Sequence, residues 1–421
     1  MKLHLPEDFI VGSVTAAYQV EGNNTNSDFW AEEYADGSPY KDKSGDTIDH
    51  YRLYRKDIAL MAELGLKSYR FSVEWARIEP APGQYSRSAI AHYRDVLLAC
   101  REYGLVPVVA LHHFSSPQWL MRYGGWGSEE VPQRFADYCR FVFSEIGGLI
   151  PYVLTFNEVN LPVMLREMFT TIGVIPPVGI AGESWTAPEW RASAAALCGT
   201  TADRYITFHM ISDDSKIAIL AEAHRRARQV IKELNPGTKV GLSMALSDIQ
   251  SVAGGEEQAA AKWQQYFGQY LPMLEGDDFF GLQNYTREVY GPEGRVAPAA
   301  GAELTQMNYE FYPEALEQVI RKAAGALKLP IFVTEHGVAT DDDSRRVEFI
   351  RRGLEGVTSC LKDGIQVIGY LHWTTFDNFE WSAGYSMRFG LIAVDRETQE
   401  RTVKESARYL GRVAATGILS E

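Results

Sequence analysis

Eight short apolar runs, separated by segments with helical patterns, constrain the fold of this chain more than any other feature. The runs are mostly continuous rather than alternating in polarity, which is typical of strands buried on both faces of a parallel sheet. They cover Phe9–Val14, Lys67–Val73, Leu105–Leu111, Tyr152–Phe156, Lys239–Met244, Phe279–Tyr285, Pro330–Thr334 and Gln366–Trp373.

The segments between these runs carry helix signals. Helices are predicted over Asp57–Leu64, Ala89–Tyr103 and Asp214–Leu234. The first two end at Gly65 and Gly104, and each glycine is followed by a β-prone run. The pattern of the chain is therefore a repeated pairing of one helix with one strand.

Eight such units predict an α/β fold, namely a closed (β/α)8 or TIM barrel with long loops at the C-terminal face of the strands. The alternative is an open doubly wound sheet, which is disfavoured because no Gly-x-Gly-x-x-Gly motif follows the first strand. No low-complexity linker divides the 421 residues. We therefore expect a single domain over residues 1–421.

Composition excludes several classes of function. The net charge of −14 argues against a nucleic-acid partner, because phosphate binding needs a basic surface. The first eight residues lack the apolar core of a signal peptide, and no apolar run is long enough to span a bilayer. The four cysteines are scattered, which is typical of reduced thiols. We expect a cytoplasmic protein without a membrane or nucleic-acid partner.

Two of the apolar runs lead into a glutamate, Glu158 in one case and Glu335 in the other. In a parallel barrel the carboxyl ends of all strands meet at one mouth, so both carboxyl groups should face the same pocket. Paired carboxylates in different environments carry out glycoside hydrolysis. The alternative for either residue alone is an ordinary surface ion pair.

Further polar and aromatic residues end other predicted strands and should lie at the same mouth: Gln19, Arg70, His113, Tyr285 and Trp373. None of them belongs to a metal-binding pattern. His112 and His113 are neighbours on a strand and point to opposite faces, and the segment 334–336 lacks the His-Glu-x-x-His spacing. Residues 341–343 predict a turn that opens a helix, with a calcium contact as the alternative. We expect no metal and no organic cofactor.

Seven segments follow one another in an order that is found in a known family. They are residues 9–22, 49–51, 69–75, 112–114, 155–158, 334–337 and 373–390. On these segments, and over nearly its whole length, the chain resembles glycoside hydrolase family 1, the retaining β-glucosidases and β-galactosidases. The resemblance rests on the order of the seven segments, because any one motif alone would be weak.

The resemblance implies a role for each residue at the mouth. Glu335 would be the nucleophile and Glu158 the acid/base, while Arg70 would lower the pKa of Glu335 and Tyr285 would donate a hydrogen bond to it. Asn157 would bond to the sugar 2-hydroxyl, and the tryptophans would stack on the sugar. The residues implied to bind sugar are Gln19, His113, Asn157, Trp373, Glu380, Trp381 and Phe389.

Five positions depart from the usual family pattern. Val159 replaces a proline, His336 an asparagine, Phe114 a tryptophan and Gln283 an asparagine. Asn160 stands in place of an aromatic residue near the acid/base, which would leave room for an acceptor and for transglycosylation. None of the five departures removes a carboxyl group.

The resemblance implies an exo-acting retaining β-glucosidase whose partners are small β-glycosides, with β-galactosides and β-fucosides as further substrates. One alternative is a 6-phospho-β-glycosidase. Family members that take phosphorylated sugars carry a lysine in the segment of Glu380, and a carboxylate there would repel phosphate. The other alternative is a non-catalytic glycan-binding protein on the same scaffold. The oligomeric state stays open.

Overall fold

The computed structural model describes residues 3–170, 188–211 and 213–419. Its centre is a barrel of parallel strands, which confirms the predicted fold class. The strands are β1 Ile10–Val14, β2 Ser68–Ser72, β3 Val106–Ala110, β4 Tyr152–Leu154, β5 Lys239–Gly241 with Ser243–Ala245, β6 Phe280–Asn284, β7 Ile331–His336 and β8 Val367–Trp373.

Strand β5 consists of two segments separated by Leu242. The first segment pairs with β4, where Val240 lies opposite Val153. The second segment pairs with β6, where Met244 lies opposite Leu282. The two ends of the sheet are therefore only one residue apart, and the sheet closes into a barrel through β5. The predicted strand Lys239–Met244 is confirmed in position, but it changes partner halfway.

Strand β7 contains a bulge. Its register shifts against β6 between Val333 and Glu335, and against β8 between Val333 and His336. A bulge re-aims the side chains beside it and is common next to active sites. The predicted strand Pro330–Thr334 is too short, because pairing resumes after the bulge and continues through His336. Glu335 therefore lies within β7 rather than past its end.

A helix follows each barrel strand. These helices are α1 His50–Glu63, α2 Arg87–Glu102, α3 Val131–Ile146, α4 Asp214–Leu234, α5 Glu256–Tyr266, α6 Ala315–Ala326, α7 Asp343–Lys362 and α8 Glu405–Thr416. The predicted bounds of α4 are confirmed. The helix predicted from Asp57 begins earlier, at His50. The exposed charged residues Arg52, Arg55 and Lys56 interrupt the apolar pattern of its first turns, although Tyr54 packs against the core.

The turn predicted at residues 341–343 is confirmed as the start of α7. Asp342 is the N-cap, and its carboxylate accepts a hydrogen bond from the backbone N–H of Ser344 over 2.9 Å. Capping by a carboxylate satisfies one of the free N–H groups at a helix start and suits the helix dipole. The aspartate run therefore has a structural explanation.

Shorter elements lie outside the barrel repeat. The additional helices are Ala17–Val20, Asp28–Tyr34, Trp75–Ile78, Gln118–Met121, Gly125–Gly127, Gly147–Leu149, Leu161–Thr170, Pro188–Leu197, Phe208–Met210, Gly268–Leu274 and Trp381–Ala383. The additional strands are Leu3–His4, Asp248–Ser251, Arg287–Gly291, Gly294–Val296, Ile392–Val394, Arg401–Val403 and Ile418–Leu419. Within the described ranges, no helix has the length and apolar character needed to cross a membrane.

Two apolar layers hold the barrel together. Strand residues such as Val109 and Val153 pack outward in the large cluster that includes the surrounding helices. A second cluster contains Leu154, Phe332 and residues of other strands that fill the barrel interior. This inner cluster continues to Trp373 at the carboxyl end of β8. The filled interior therefore leaves the mouth, above the strand ends, as the place for a site.

Candidate active site

Glu335 is held by donors from two other strands. Arg70 of β2 forms an ion pair with its Oε1 atom, and Gln283 Nε2 of β6 donates to the same oxygen over 3.0 Å. The hydroxyl of Tyr285 donates to the other oxygen, Oε2, over 2.5 Å. A carboxylate oxygen accepts about two hydrogen bonds. Oε1 is therefore saturated, whereas Oε2 keeps a free lone pair.

Arg70 links the two segments that carry the glutamates. Its Nη1 atom donates to the backbone carbonyl of Thr334 over 3.2 Å, and its Nη2 atom donates to Asn157 Oδ1 over 2.5 Å. The arginine is fully buried on β2. A buried guanidinium needs charged or polar partners on several sides, and the ends of β4 and β7 supply them here.

Glu158 follows β4 in a left-handed backbone conformation, with φ of 45°. Such a conformation is uncommon for a residue with a side chain and requires support from neighbouring groups. Ser243 gives this support, because its Oγ accepts from the backbone N–H of Glu158 over 3.3 Å. The next backbone N–H, that of Val159, donates to the carbonyl of Ser243 over 3.1 Å. The second segment of β5 thus fixes the segment that carries Glu158.

The two glutamates differ in acidity. Burial raises the pKa of both carboxyl groups. The negative charge of Glu335 raises the pKa of Glu158 further, to well above its usual range. For Glu335, the charge of Arg70 and the hydrogen bond from Tyr285 oppose the effect of burial. Arg70 thus lowers the pKa as predicted but does not bring it below the usual value. Glu335 is the group that ionises first.

A polar pocket lies beside the glutamates. Gln19 Nε2 donates to Glu380 Oε2 over 3.2 Å and to the carbonyl of Phe379 over 2.8 Å. Asn157 Nδ2 lies 3.3 Å from His113 Nε2. Burial, followed by the charge of Arg70, lowers the pKa of His113 well below its usual range, so the imidazole is neutral. Since Nε2 accepts from the amide, the proton of His113 is on Nδ1.

Three buried polar atoms of this pocket have no hydrogen-bond partner among the residues that the structure describes: Gln19 Oε1, His113 Nδ1 and Glu380 Oε1. Buried polar groups are normally paired, and each exception needs an explanation. An amide oxygen, an imidazole N–H and a carboxyl oxygen left unpaired close together are what a ligand rich in hydroxyl groups would satisfy.

Aromatic rings form the walls of the pocket. The rings of Trp373 and Trp381 lie nearly parallel to that of His113, with centroids 5.8 Å and 6.2 Å away. Phe389 lies 6.1 Å from the ring of Tyr285. The structure thus brings all the predicted site residues into one connected group around Glu158 and Glu335.

Three departures from the family pattern lie outside the pocket or behind its wall. His336 stacks on Phe349 of α7 at 4.4 Å and so faces away from the mouth. Phe114 packs against Trp381 at 5.4 Å. Asn160 is fully buried, and its Nδ2 donates to the carbonyl of Ala245 over 2.7 Å. The side chain of Asn160 is thus used inside the protein, and its link to transglycosylation stays a prediction.

The sequence reasoning missed Ser243 as a site residue and treated Gln283 only as a departure. Both contact the glutamate segments directly. The rule that selected Arg70 and His113, a polar residue at the carboxyl end of a strand, would have selected Ser243 if it had been applied to the fifth strand. No local sequence pattern predicts the contact of Gln283 with Glu335, because this contact depends on the bulge in β7.

A TIM barrel whose mouth holds two buried carboxyl groups of different acidity, beside aromatic rings and unpaired polar side chains, is typical of glycoside hydrolases. The family model named "Glycosyl hydrolase family 1" matches residues 1–270 and 277–417. The chain belongs to this family.

Individual relatives agree with this assignment. Beta-glucosidase A of Thermotoga maritima is 27% identical, with 99% of each chain covered. A 6-phospho-beta-galactosidase of Lacticaseibacillus rhamnosus is 26% identical over 100% of both chains. The crystal structure of a beta-glycosidase called BGL167 has a TM-score of 0.91 and 49% identity, and covers 98% of this chain and 97% of that one. The chain is thus a glycoside hydrolase.

Proposed function

We propose that this glycoside hydrolase is an exo-acting β-glycosidase that acts with retention, and that neutral β-glucosides and short β-linked oligosaccharides are its substrates. The observation that carries the proposal is that the two carboxyl groups differ in their hydrogen-bond partners and in their pKa values. Glu335 is held by Arg70, Gln283 and Tyr285, whereas the charge of Glu335 keeps the proton on Glu158. One group is thereby prepared to attack and the other to donate a proton.

In the first step, the free lone pair of Glu335 Oε2 forms a bond to the anomeric carbon. The bond from that carbon to the leaving oxygen breaks, its electron pair stays on the oxygen, and Glu158 supplies the proton. The product is a glycosyl ester of Glu335 and a free aglycone alcohol. Arg70 and Gln283 remain at Oε1, which becomes the carbonyl oxygen of the ester.

In the second step, ester formation has removed the charge of Glu335, so the pKa of Glu158 is lower than before. Glu158 is now a carboxylate and takes a proton from water, whose oxygen bonds to the anomeric carbon. The ester bond breaks, and Glu335 leaves as a carboxylate. Two inversions give a product with the configuration of the substrate.

The pocket residues favour a neutral terminal sugar. Asn157 is proposed to bond to the 2-hydroxyl, and Gln19, His113 and Glu380 to the other hydroxyl groups. Trp373 and Trp381 are proposed as stacking surfaces, and Phe389 as part of the wall. Gln19 and Glu380 are almost fully buried, which supports a closed-ended pocket and hence exo action. β-Galactosides, β-fucosides and transglycosylation remain part of this proposal.

A 6-phospho-β-glycosidase is the second candidate, and the phosphogalactosidase relative is the observation that favours it. Against it, Glu380 contacts the amide of Gln19 rather than a cation. A phosphate beside Glu380 would need a cation to compensate its charge, and among the described residues no hydrogen bond or ion pair joins Glu380 to one. The non-catalytic glycan-binding alternative is disfavoured because both carboxyl groups are in place.

We further propose that residues 1–421 act as one catalytic domain and that the protein is cytoplasmic. The barrel repeat includes strands from both ends of the sequence, since β1 pairs with β8. The four cysteines are buried and free, which suits a reducing compartment.

The test uses nitrophenyl β-glucoside and its 6-phosphate with the same enzyme preparation. The proposal predicts release of nitrophenol from the neutral glycoside, and NMR of the first product should show β-glucose before mutarotation. Turnover of the phosphorylated substrate alone would favour the second candidate. If neither substrate nor the galacto and fuco analogues react with folded protein, the glycan-binding alternative stands.

A further inference from the structure

Ser243 and Gln283 connect the segments of the two glutamates, and Ser243 itself has no contact with Glu335. Ser243 lies on β5 directly after the break at Leu242, and Gln283 lies on the neighbouring strand β6. Gln283 Nε2 donates to Ser243 Oγ over 3.1 Å. Both side chains are fully buried. A hydrogen bond between buried polar groups at the mouth of a barrel fixes their orientation.

Every hydrogen-bonding capacity of the Ser243 hydroxyl is used within the site. The oxygen accepts from the backbone N–H of Glu158 and lies 3.1 Å from Gln283 Nε2, whose two hydrogens are shared among Ser243, Asn157 and Glu335. The hydroxyl can donate one; Asn157 Oδ1 is the nearer acceptor at 3.3 Å, and the backbone carbonyl of Phe156 lies 3.5 Å away. The Ser243 side chain thus contacts Asn157, the backbone of Glu158 and Gln283. Gln283 in turn contacts Glu335.

These contacts determine which end of the Asn157 amide faces the pocket. Its Oδ1 atom accepts from Ser243, from Arg70 over 2.5 Å and from Gln283 over 2.7 Å. Three donors around one oxygen exclude the flipped orientation, because the NH2 group would then face three donors. The Nδ2 atom therefore lies on the side of His113, where a sugar hydroxyl would be.

We propose that Ser243 and Gln283 are a pair of positioning residues that fix the Asn157 amide and the Glu158 backbone relative to Glu335. This inference rests on the proposed function. Gln283 contacts both glutamate segments directly, because its amide donates to Asn157 and to Glu335. Ser243 does not contact Glu335 and acts through Asn157, Gln283 and the backbone of the Glu158 segment. The pair sets the contact between Asn157 and the sugar 2-hydroxyl, a contact that strengthens in the transition state.

The test compares two substrates, nitrophenyl β-glucoside and its 2-deoxy analogue, which lacks the hydroxyl that Asn157 would bind. Ser243→Ala should lower kcat/KM on the glucoside by about 10-fold, with most of the loss in kcat. On the 2-deoxy substrate the loss should be below about 3-fold, because the contact that Ser243 positions is absent. A purely structural role would lower both activities equally.

Ser247→Ala is the matched control. Its hydroxyl lies four residues further along the chain and donates to Glu288 over 2.9 Å, outside the catalytic group. Activity of this variant should be within about 2-fold of wild type on both substrates. The melting temperature of each variant shows whether the fold is kept.

Gln283→Met serves as a second variant, because it keeps the length of the side chain without hydrogen bonds. It should lose activity on both substrates, since it also removes a donor to Glu335. Unchanged turnover of the glucoside by folded Ser243→Ala, or an equal loss on both substrates, would overturn the inference while the proposed function stood. A wild type that is inert on both substrates would overturn the proposed function, and the inference with it.

Discussion

The hydroxyl of Tyr285 lies 2.5 Å from Oε2 of Glu335, on the one carboxylate oxygen that Arg70 and Gln283 do not occupy. The tyrosine therefore contacts the oxygen that keeps a free lone pair for attack. Its hydrogen bond also lowers the pKa of Glu335 against the effect of burial. The same contact orients the proposed nucleophile and favours its ionised form.

Removal of this hydroxyl should slow the reaction and move its pH dependence. Tyr285→Phe should lower kcat by about 10- to 100-fold, as expected for a hydrogen bond to a charged group. Because the variant lacks a donor to the carboxylate, the pKa of Glu335 should rise. The acidic limb of the kcat/KM profile should then move to higher pH. Tyr123→Phe, in an exposed position, is the control. An unchanged acidic limb would contradict this role.

The proton on Glu158 should determine the basic limb of activity. Burial and the charge of Glu335 raise the pKa of this carboxyl group, so activity should fall as the pH rises through that raised value. Glu158→Gln should abolish the basic limb and slow the turnover of nitrophenyl β-glucoside by about 100-fold or more. Dinitrophenyl β-glucoside, whose leaving group needs little protonation, should lose less activity in the first step. An equal loss on both substrates would argue against general acid catalysis.

Stability should decrease between weakly acidic and weakly alkaline pH. Burial is the main cause of a raised pKa at Glu32 and Glu74, to about 7, and at Glu380, to about 8, compared with 4.5 for an ordinary glutamate. The folded protein binds these protons more tightly than the unfolded chain does. The resulting stabilisation is complete below pH 4.5 and is lost as the pH rises through 7 to 8.

The melting temperature measured from pH 5 to pH 9 tests this expectation. It should decline across the range, and Glu74→Gln should make the decline less steep. Glu74 accepts a hydrogen bond from Ser115 over 2.7 Å, which the amide oxygen of glutamine can still accept. A melting temperature that rises from pH 5 to pH 8 would contradict this expectation. It would show that carboxyl groups with lowered pKa values dominate the pH dependence of stability.

The sequence predicted the barrel and the glutamates because both depend on local patterns. Apolar runs and glycine stops mark each strand–helix unit, and the rule for strand ends selected Arg70, His113 and Tyr285. The start of α1 at His50 was not predicted, because exposed charged residues interrupt the apolar pattern of its first turns.

The contacts of Ser243 and Gln283 could not be predicted for a different reason. They depend on the break in β5 and on the bulge in β7, and neither irregularity has a mark in the apolar pattern. Side chains from three strands meet at Asn157 only after these shifts in register. Ser243 and Gln283 can therefore be identified only from the three-dimensional structure, whereas Glu158 and Glu335 can be identified from sequence motifs.

The central claim is that Glu335 is the nucleophile of a retaining reaction. Nitrophenyl β-glucoside hydrolysis by Glu335→Ala, measured without and with sodium azide, tests it most directly. We expect negligible turnover without azide. With azide we expect restored turnover and α-glucosyl azide as the product, because azide attacks from the side that the carboxylate has vacated. Full activity of the variant without azide, or a β-glucosyl azide product, would contradict the claim.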